Sequence, residues 1–140
     1  MPSNAFSGVG TVFKRGDGAS NEVFTAIAEI NSIDGPNKSR GTIDVTSLDS
    51  TGGYREFIAS FRDAGEVTLD MNFTRDGYVD INTDFEGSAL VNYQIILPDT
   101  NNTQLDFAGL VTNLGMAVPL DDKVTQKVTI KVSGQVTLTS

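Results

Sequence analysis

Apolar and polar residues alternate along much of this 140-residue chain. Val67, Leu69, Met71 and Phe73 are apolar, and Glu66, Thr68, Asp70, Asn72 and Thr74 between them are polar. Successive strand residues point to opposite faces, so this pattern predicts a long strand buried on one side. The C-terminus repeats it. Val124, Val128, Ile130, Val132, Val136 and Leu138 share one predicted face, and Thr125, Lys127, Thr129, Lys131, Ser133, Gln135 and Thr137 take the other. Gly134 falls on the apolar face, where glycine marks a bulge or a close backbone approach.

Further strands are predicted at Thr11–Lys14, Glu22–Ile30, Gly41–Val45, Ala89–Leu97 and Gln104–Leu114. Turn signals separate them at Gly16-Asp17-Gly18, Asp34-Gly35-Pro36-Asn37 and Pro98–Asn102, residues whose backbone preferences favour reversals. Many strands with such punctuation predict a mainly β sandwich or barrel. One segment has a different period. Tyr78, Ile81 and Phe85 recur at helical spacing, which predicts a short helix over Gly77–Glu86. Asp76 is its expected cap, Asp80 lies near its positive end and Gly87 is its stop. A second irregular stretch, about residues 47–65, contains Gly52-Gly53 and the apolar Tyr54, Phe57, Ile58 and Phe61. Apolar side chains in such a segment cover the edge of a core or meet another chain.

Composition removes most chemistry. The length fits a single domain spanning 1–140. With no Cys and no His, disulfides, thiolate nucleophiles, Cys-ligated zinc and Ser-His-Asp catalysis are excluded. Eighteen Asp and Glu against ten Lys and Arg give a formal charge of −8, which argues against a surface that grips DNA through phosphates. Asp121-Asp122, Asp44 with Asp49, and the Asp17–Glu22 run lack the ligand order of a calcium loop and read as turns. No catalytic, metal or cofactor site is expected. Lys123, Lys127 and Lys131 form a row that could touch phosphate, or could equally face acids of a neighbouring strand or chain or blunt a sheet edge; the acidic balance favours these over phosphate. Tyr54, Arg55, Glu56 and Phe57 suit an interface anchor and a solvated loop tip equally. The start of the chain has no basic stretch leading into an apolar run, so a chain made in a cytoplasm and not inserted in a membrane is expected.

Several segments, in order, resemble one family. They are Ile27–Arg40 (IAEINSIDGPNKSR), Ile43–Ser50 (IDVTSLDS), Gly52–Ile58 (GGYREFI), Asp63–Val67 (DAGEV), Phe107–Thr112 (FAGLVT), Pro119–Asp122 (PLDD) and Val128–Gly134 (VTIKVSG). This pattern resembles the tail tube, or major tail, protein of long non-contractile-tailed phages. The resemblance implies a β-sandwich with a short flanking helix and a long inter-strand loop. It implies hexameric rings that stack helically into a virion tail tube, a conduit for DNA that is not bound tightly. Tail tip or baseplate, tape measure and terminator proteins are the implied partners. The long loop, about Ser47–Arg62, would reach the next ring through Tyr54, Arg55, Glu56 and Phe57. The C-terminal strand, with Lys127 and Lys131 on its polar face, would pair between subunits, and Glu66, Asp70 and Asp106 are the candidate lumen acids. The alternative is a monomeric or small-oligomer β-sandwich acting as a binding or decoration module of a virion.

Overall fold

The alternating segments assemble into one curled antiparallel sheet in a computed structural model that describes residues 7–18, 21–27 and 29–139. The strands are β1 (Val12–Gly16), β2 (Phe24–Ala26), β3 (Ile30–Asp34), β4 (Ser39–Asp44), β5 (Phe57–Asp63), β6 (Glu66–Asn72), β7 (Val91–Ile96), β8 (Gln104–Ala117) and β9 (Thr125–Thr139). A helix, α1 (Arg75–Glu86), lies between β6 and β7. Seven strands pair in the order β2-β1-β7-β8-β9-β6-β3, and β4 and β5 form a separate hairpin.

The two ends of the seven-stranded order are neighbours in the chain. Ile27 N–H donates to Phe13 O at 2.8 Å, and Asn72 N–H donates to Glu29 O at 2.9 Å. One stretch of backbone therefore borders both edges of the sheet, which curls round its core as a barrel-like sandwich. This corrects the single strand expected over Glu22–Ile30. A straight strand cannot follow both edges, and the chain turns where Glu29 takes φ 61. Few non-glycine residues adopt that value outside such bends.

The predicted inward faces of β6 and β9 hold. Val67, Leu69, Met71, Val128 and Ile130 are fully buried, with Val132 and Val136 nearly so. Phe13, Tyr93 and Phe107 complete the core from β1, β7 and β8, with ring centroids 5.5–6.4 Å apart. Leu138, expected inside, is 67% exposed. Its position beyond the bulge at Gly134 carries it past the end of the core. Between the β8–β9 pairs Ala108↔Ser133 and Asp106↔Thr137, one residue of β8 faces three of β9, and Gly134 there has φ +85. Gln126, absent from the expected inward face, is also buried. Its amide Nε2 lies 3.3 Å from Met71 Sδ, and its Oε1 has no hydrogen-bond partner.

Helix α1 begins two residues earlier than the apolar spacing indicates. Thr74 is its cap and accepts from Gly77 N–H at 3.1 Å, so Asp76 lies in the first turn and is not the cap. Phe85, expected on the buried stripe, is exposed, while Asp84 is buried beside Ile81. The reason is a clamp. Asp84 accepts from Arg15 Nε at 2.6 Å, from Arg15 Nη2 at 2.5 Å and from Tyr93 Oη at 2.8 Å. These bonds tie α1 to β1 and β7. Burial first, and then the nearby Asp84 charge, push the Tyr93 phenol well above its ordinary pKa. A raised phenol keeps its proton in the folded chain after the unfolded chain has lost its own. That contribution is whole below about pH 10 and is lost as pH climbs above it. Urea midpoints should therefore fall above about pH 10, and Tyr93→Phe should flatten that fall while lowering stability at neutral pH. An unchanged alkaline slope in Tyr93→Phe would exclude Tyr93 as its source.

Candidate assembly surfaces

The β4–β5 hairpin corrects the irregular segment expected over 47–65. Phe57–Asp63 is a strand paired with Ser39–Asp44, and the irregular part contracts to the tip at residues 45–56. The tip is bonded within itself. Thr46 N–H donates to Asp44 at 2.9 Å, Glu56 N–H donates to Thr46 Oγ1 at 2.7 Å, and Ser50 Oγ donates to Glu56 at 3.0 Å. Arg55 pairs with Asp44 and lies over the Phe57 ring, 5.8 Å from its centroid. Bonds from Thr46, then from Arg55, hold Asp44 below the usual carboxylate range. Asp44 thus does turn chemistry.

Of the four proposed anchors, Arg55 and Glu56 are engaged inside the hairpin, and Tyr54 and Phe57 remain available. Tyr54 is 77% exposed, Leu48 fully so, and Ile43, Phe57 and Ile58 about half so. Every residue of β4 is exposed, as is nearly all of β5. The hairpin is an apolar arm with little of its own chain beneath it. Leu48 and Ile43 carry no interface signal in the sequence, because Leu48 stands alone among polar residues and Ile43 has the pattern of an ordinary strand position.

The remaining candidates share one surface. In the β6–β9 ladder Glu66 lies opposite Lys131 and Asp70 opposite Lys127. All four therefore occupy the face of the sheet turned away from the core, interleaved by sign. Lys127 and Lys131 face acids of a neighbouring strand, and Lys123 precedes the strand. Lys131 Nζ also bonds both carboxylate oxygens of Asp63 at 3.1 Å. Gly65 N–H first, then Lys131, hold Asp63 low. Asp106 is on the same outward face, between Gln94 and Thr137, and accepts from Gln104 at 2.7 Å.

This placement corrects the expected pairing edge. Thr125–Lys131 is already flanked by β8 and β6, so Lys127 and Lys131 have no backbone edge to offer. The free edge lies further on. Beyond Val132, whose N–H donates to Gly65 O at 3.0 Å, Ser133–Thr139 pairs with β8 alone among the described residues. The second half of β8, Leu110–Ala117, likewise pairs only with β9. Unpaired strand edges and bare apolar arms are what chains use to join one another. Among the described residues no three acidic side chains gather closely enough to hold a metal ion, and no helix is long and apolar enough to cross a membrane.

A curled β-sandwich with a projecting apolar hairpin and half-open long strands is the design of a structural protein built to polymerise. The sequence profile of the lambda phage tail tube protein family matches residues 5–139, and the chain belongs to that family. It is a structural component of a virion tail. Among solved structures it resembles a chain from the tail of an empty gene transfer agent particle with C6 symmetry, with a TM-score of 0.80 at 20% identity, covering 97% of this chain and 100% of that one. A chain from the sheath/tube terminator of an extracellular contractile injection system superposes at 0.74 with 14% identity, covering 100% of both. The SPP1 tail tube does so at 0.65 with 10% identity, over 91% of this chain and 74% of that one. No curated protein sequence matches the chain.

Proposed function

We propose that this tail tube protein assembles as hexameric rings that stack with a helical rotation into a hollow conduit for DNA. The bare β4–β5 hairpin carries this reading, since an arm with exposed apolar side chains needs a second chain to cover it. The arm would reach a neighbouring ring through Leu48, Tyr54, Phe57 and Ile58. The free edge at Ser133–Thr139 would pair with a neighbour within the ring. A heterologous contact of that kind generates a ring when its rotation closes. The C6 symmetry of the gene transfer agent tail supports the ring size. Tail tip, terminator and tape measure proteins would be the partners at the ends and inside. Negative-stain microscopy of the purified protein across concentration and salt tests the reading. Stacked rings are expected, and a monomer at every condition would overturn it.

The outward face would line the channel. In the β6–β9 ladder each lysine of this face stands opposite an acid, so phosphate would meet paired charges there and DNA would pass without being gripped. Asp106 gives the clean test. Reversing Glu66 or Asp70 sets like charges opposite Lys131 or Lys127 and destabilises the sheet by about 0.2–1 kcal/mol each. Asp106 faces the uncharged Gln94 and Thr137 and is bonded by the uncharged Gln104. Asp106→Lys should form normal tubes and deliver DNA poorly, measured as infectivity of particles built with it. Normal infectivity would remove Asp106 from the channel wall.

A further inference from the structure

Between the root of the β4–β5 hairpin and the second half of β9 lies an open cleft of about 1030 Å³. Its lining includes Lys38, Arg40, Arg62 and Lys131 against a single carboxylate, Asp63. Four of the ten cations of an acidic chain are therefore gathered in one place. Arg40 and Arg62 are direct partners in the hairpin register. Like charges set opposite each other destabilise a sheet. Lys131 is answered by Asp63, but among the described residues Lys38, Arg40 and Arg62 have no ion-pair partner. Phe61, 92% exposed, adds an apolar contact to the same cleft.

The complementary feature is on the same chain but at a distance. The β8–β9 turn carries Leu120, fully exposed, followed by the exposed Asp121 and Asp122. From Thr125 to Ser133 the strand rises about 3.3 Å per residue, which separates turn and cleft by roughly 26 Å. The turn cannot fill its own chain's cleft, but it can enter that of another copy. We infer that the β8–β9 turn of one subunit docks in this cleft of a second subunit, with Asp121 and Asp122 against Arg40 and Arg62 and Leu120 against Phe61. The contact is heterologous, head to tail along the long hairpin, and so propagates from copy to copy. It rests on the tube reading and assigns that assembly a specific charged joint.

A mixing experiment tests it. One variant carries Arg40→Glu and Arg62→Glu, and the other carries Asp121→Lys and Asp122→Lys. Each alone sets like charges across the joint and should need about a hundredfold more protein to form tubes than the unmodified chain. Mixed in equal amounts they should form tubes again, because each turn then meets an opposite cleft in alternation. Misfolding of either variant would not be repaired by mixing, and circular dichroism of each alone checks its fold. Unimpaired assembly of either variant alone, or no rescue on mixing, would overturn the joint and leave the tube reading standing. If the unmodified chain formed no tubes at all, the tube reading itself would fail. Should it retain duplex DNA at moderate salt, and the arginine variant assemble normally while releasing that DNA, the cleft would be a nucleic-acid site and the joint would be wrong.

Discussion

Leu48→Asp combined with Ile58→Asp abolishes tube formation at concentrations where the unmodified chain assembles, and leaves the folded monomer intact. Both halves of this expectation come from the bareness of the hairpin. Leu48 is fully exposed and Ile58 half so, so the monomer loses little packing when they change. Surface substitutions of this kind stay within about 0.5 kcal/mol. In the tube the balance reverses. Covering one such side chain is worth about 1.5–3 kcal/mol, and burying an unpaired carboxylate in its place adds a further penalty. A loss of about 3 kcal/mol at each repeated contact raises the concentration needed for growth by more than about a hundredfold. Sedimentation and microscopy read the assembly, and urea unfolding reads the monomer. Tubes at unchanged concentration would show that the arm covers nothing. Equal loss of monomer stability would show that the arm is instead part of the fold.

The arm also marks where the sequence was readable and where it was not. Period-two alternation located β6 and the first half of β9 because each has one face on the core. The β4–β5 pair has no buried face, so nothing imposes alternation on it, and a true strand at Phe57–Asp63 read as irregular chain. The same physics explains the outward surface. Alternation assigned Glu66, Asp70, Lys127 and Lys131 correctly to polar faces, but register decides which polar residues meet. That register places acids and lysines on one surface, whereas alternation alone leaves them on separate strands with no link between them. The pairing edge was misplaced for a related reason. Strand length is visible in a sequence, whereas the number of neighbours along each half of a strand is not.

Arg15→Met is the second large effect, and here the target is the fold. Asp84 retains only 3% of its side-chain exposure, and Arg15 supplies two of its three bonds. Both partners had a trace in the sequence. Arg15 follows Phe13 by two residues on the inward side of β1, and Asp84 follows Ile81 by three on the helix stripe, so each breaks an apolar pattern at a position facing the core. Removing the guanidinium leaves a buried carboxylate with Tyr93 alone, which costs about 3–5 kcal/mol. Domains of this kind hold about 5–15 kcal/mol in all, so Arg15→Met should unfold at much lower urea or fail to accumulate. Asp84→Asn keeps one acceptor oxygen, which in the Oδ2 position still takes Arg15 Nε and Tyr93 Oη but leaves Arg15 Nη2 facing an NH2 group, and it should lose less, about 1–3 kcal/mol. The pair Arg15→Met with Asp84→Leu decides the mechanism. An apolar pair leaves no stranded charge, and such replacements are often neutral, so the double variant should be more stable than Arg15→Met alone. If it were weaker than Arg15→Met, the bond that Asp84 keeps with Tyr93, and not a stranded charge, would decide what Asp84 contributes once Arg15 is gone.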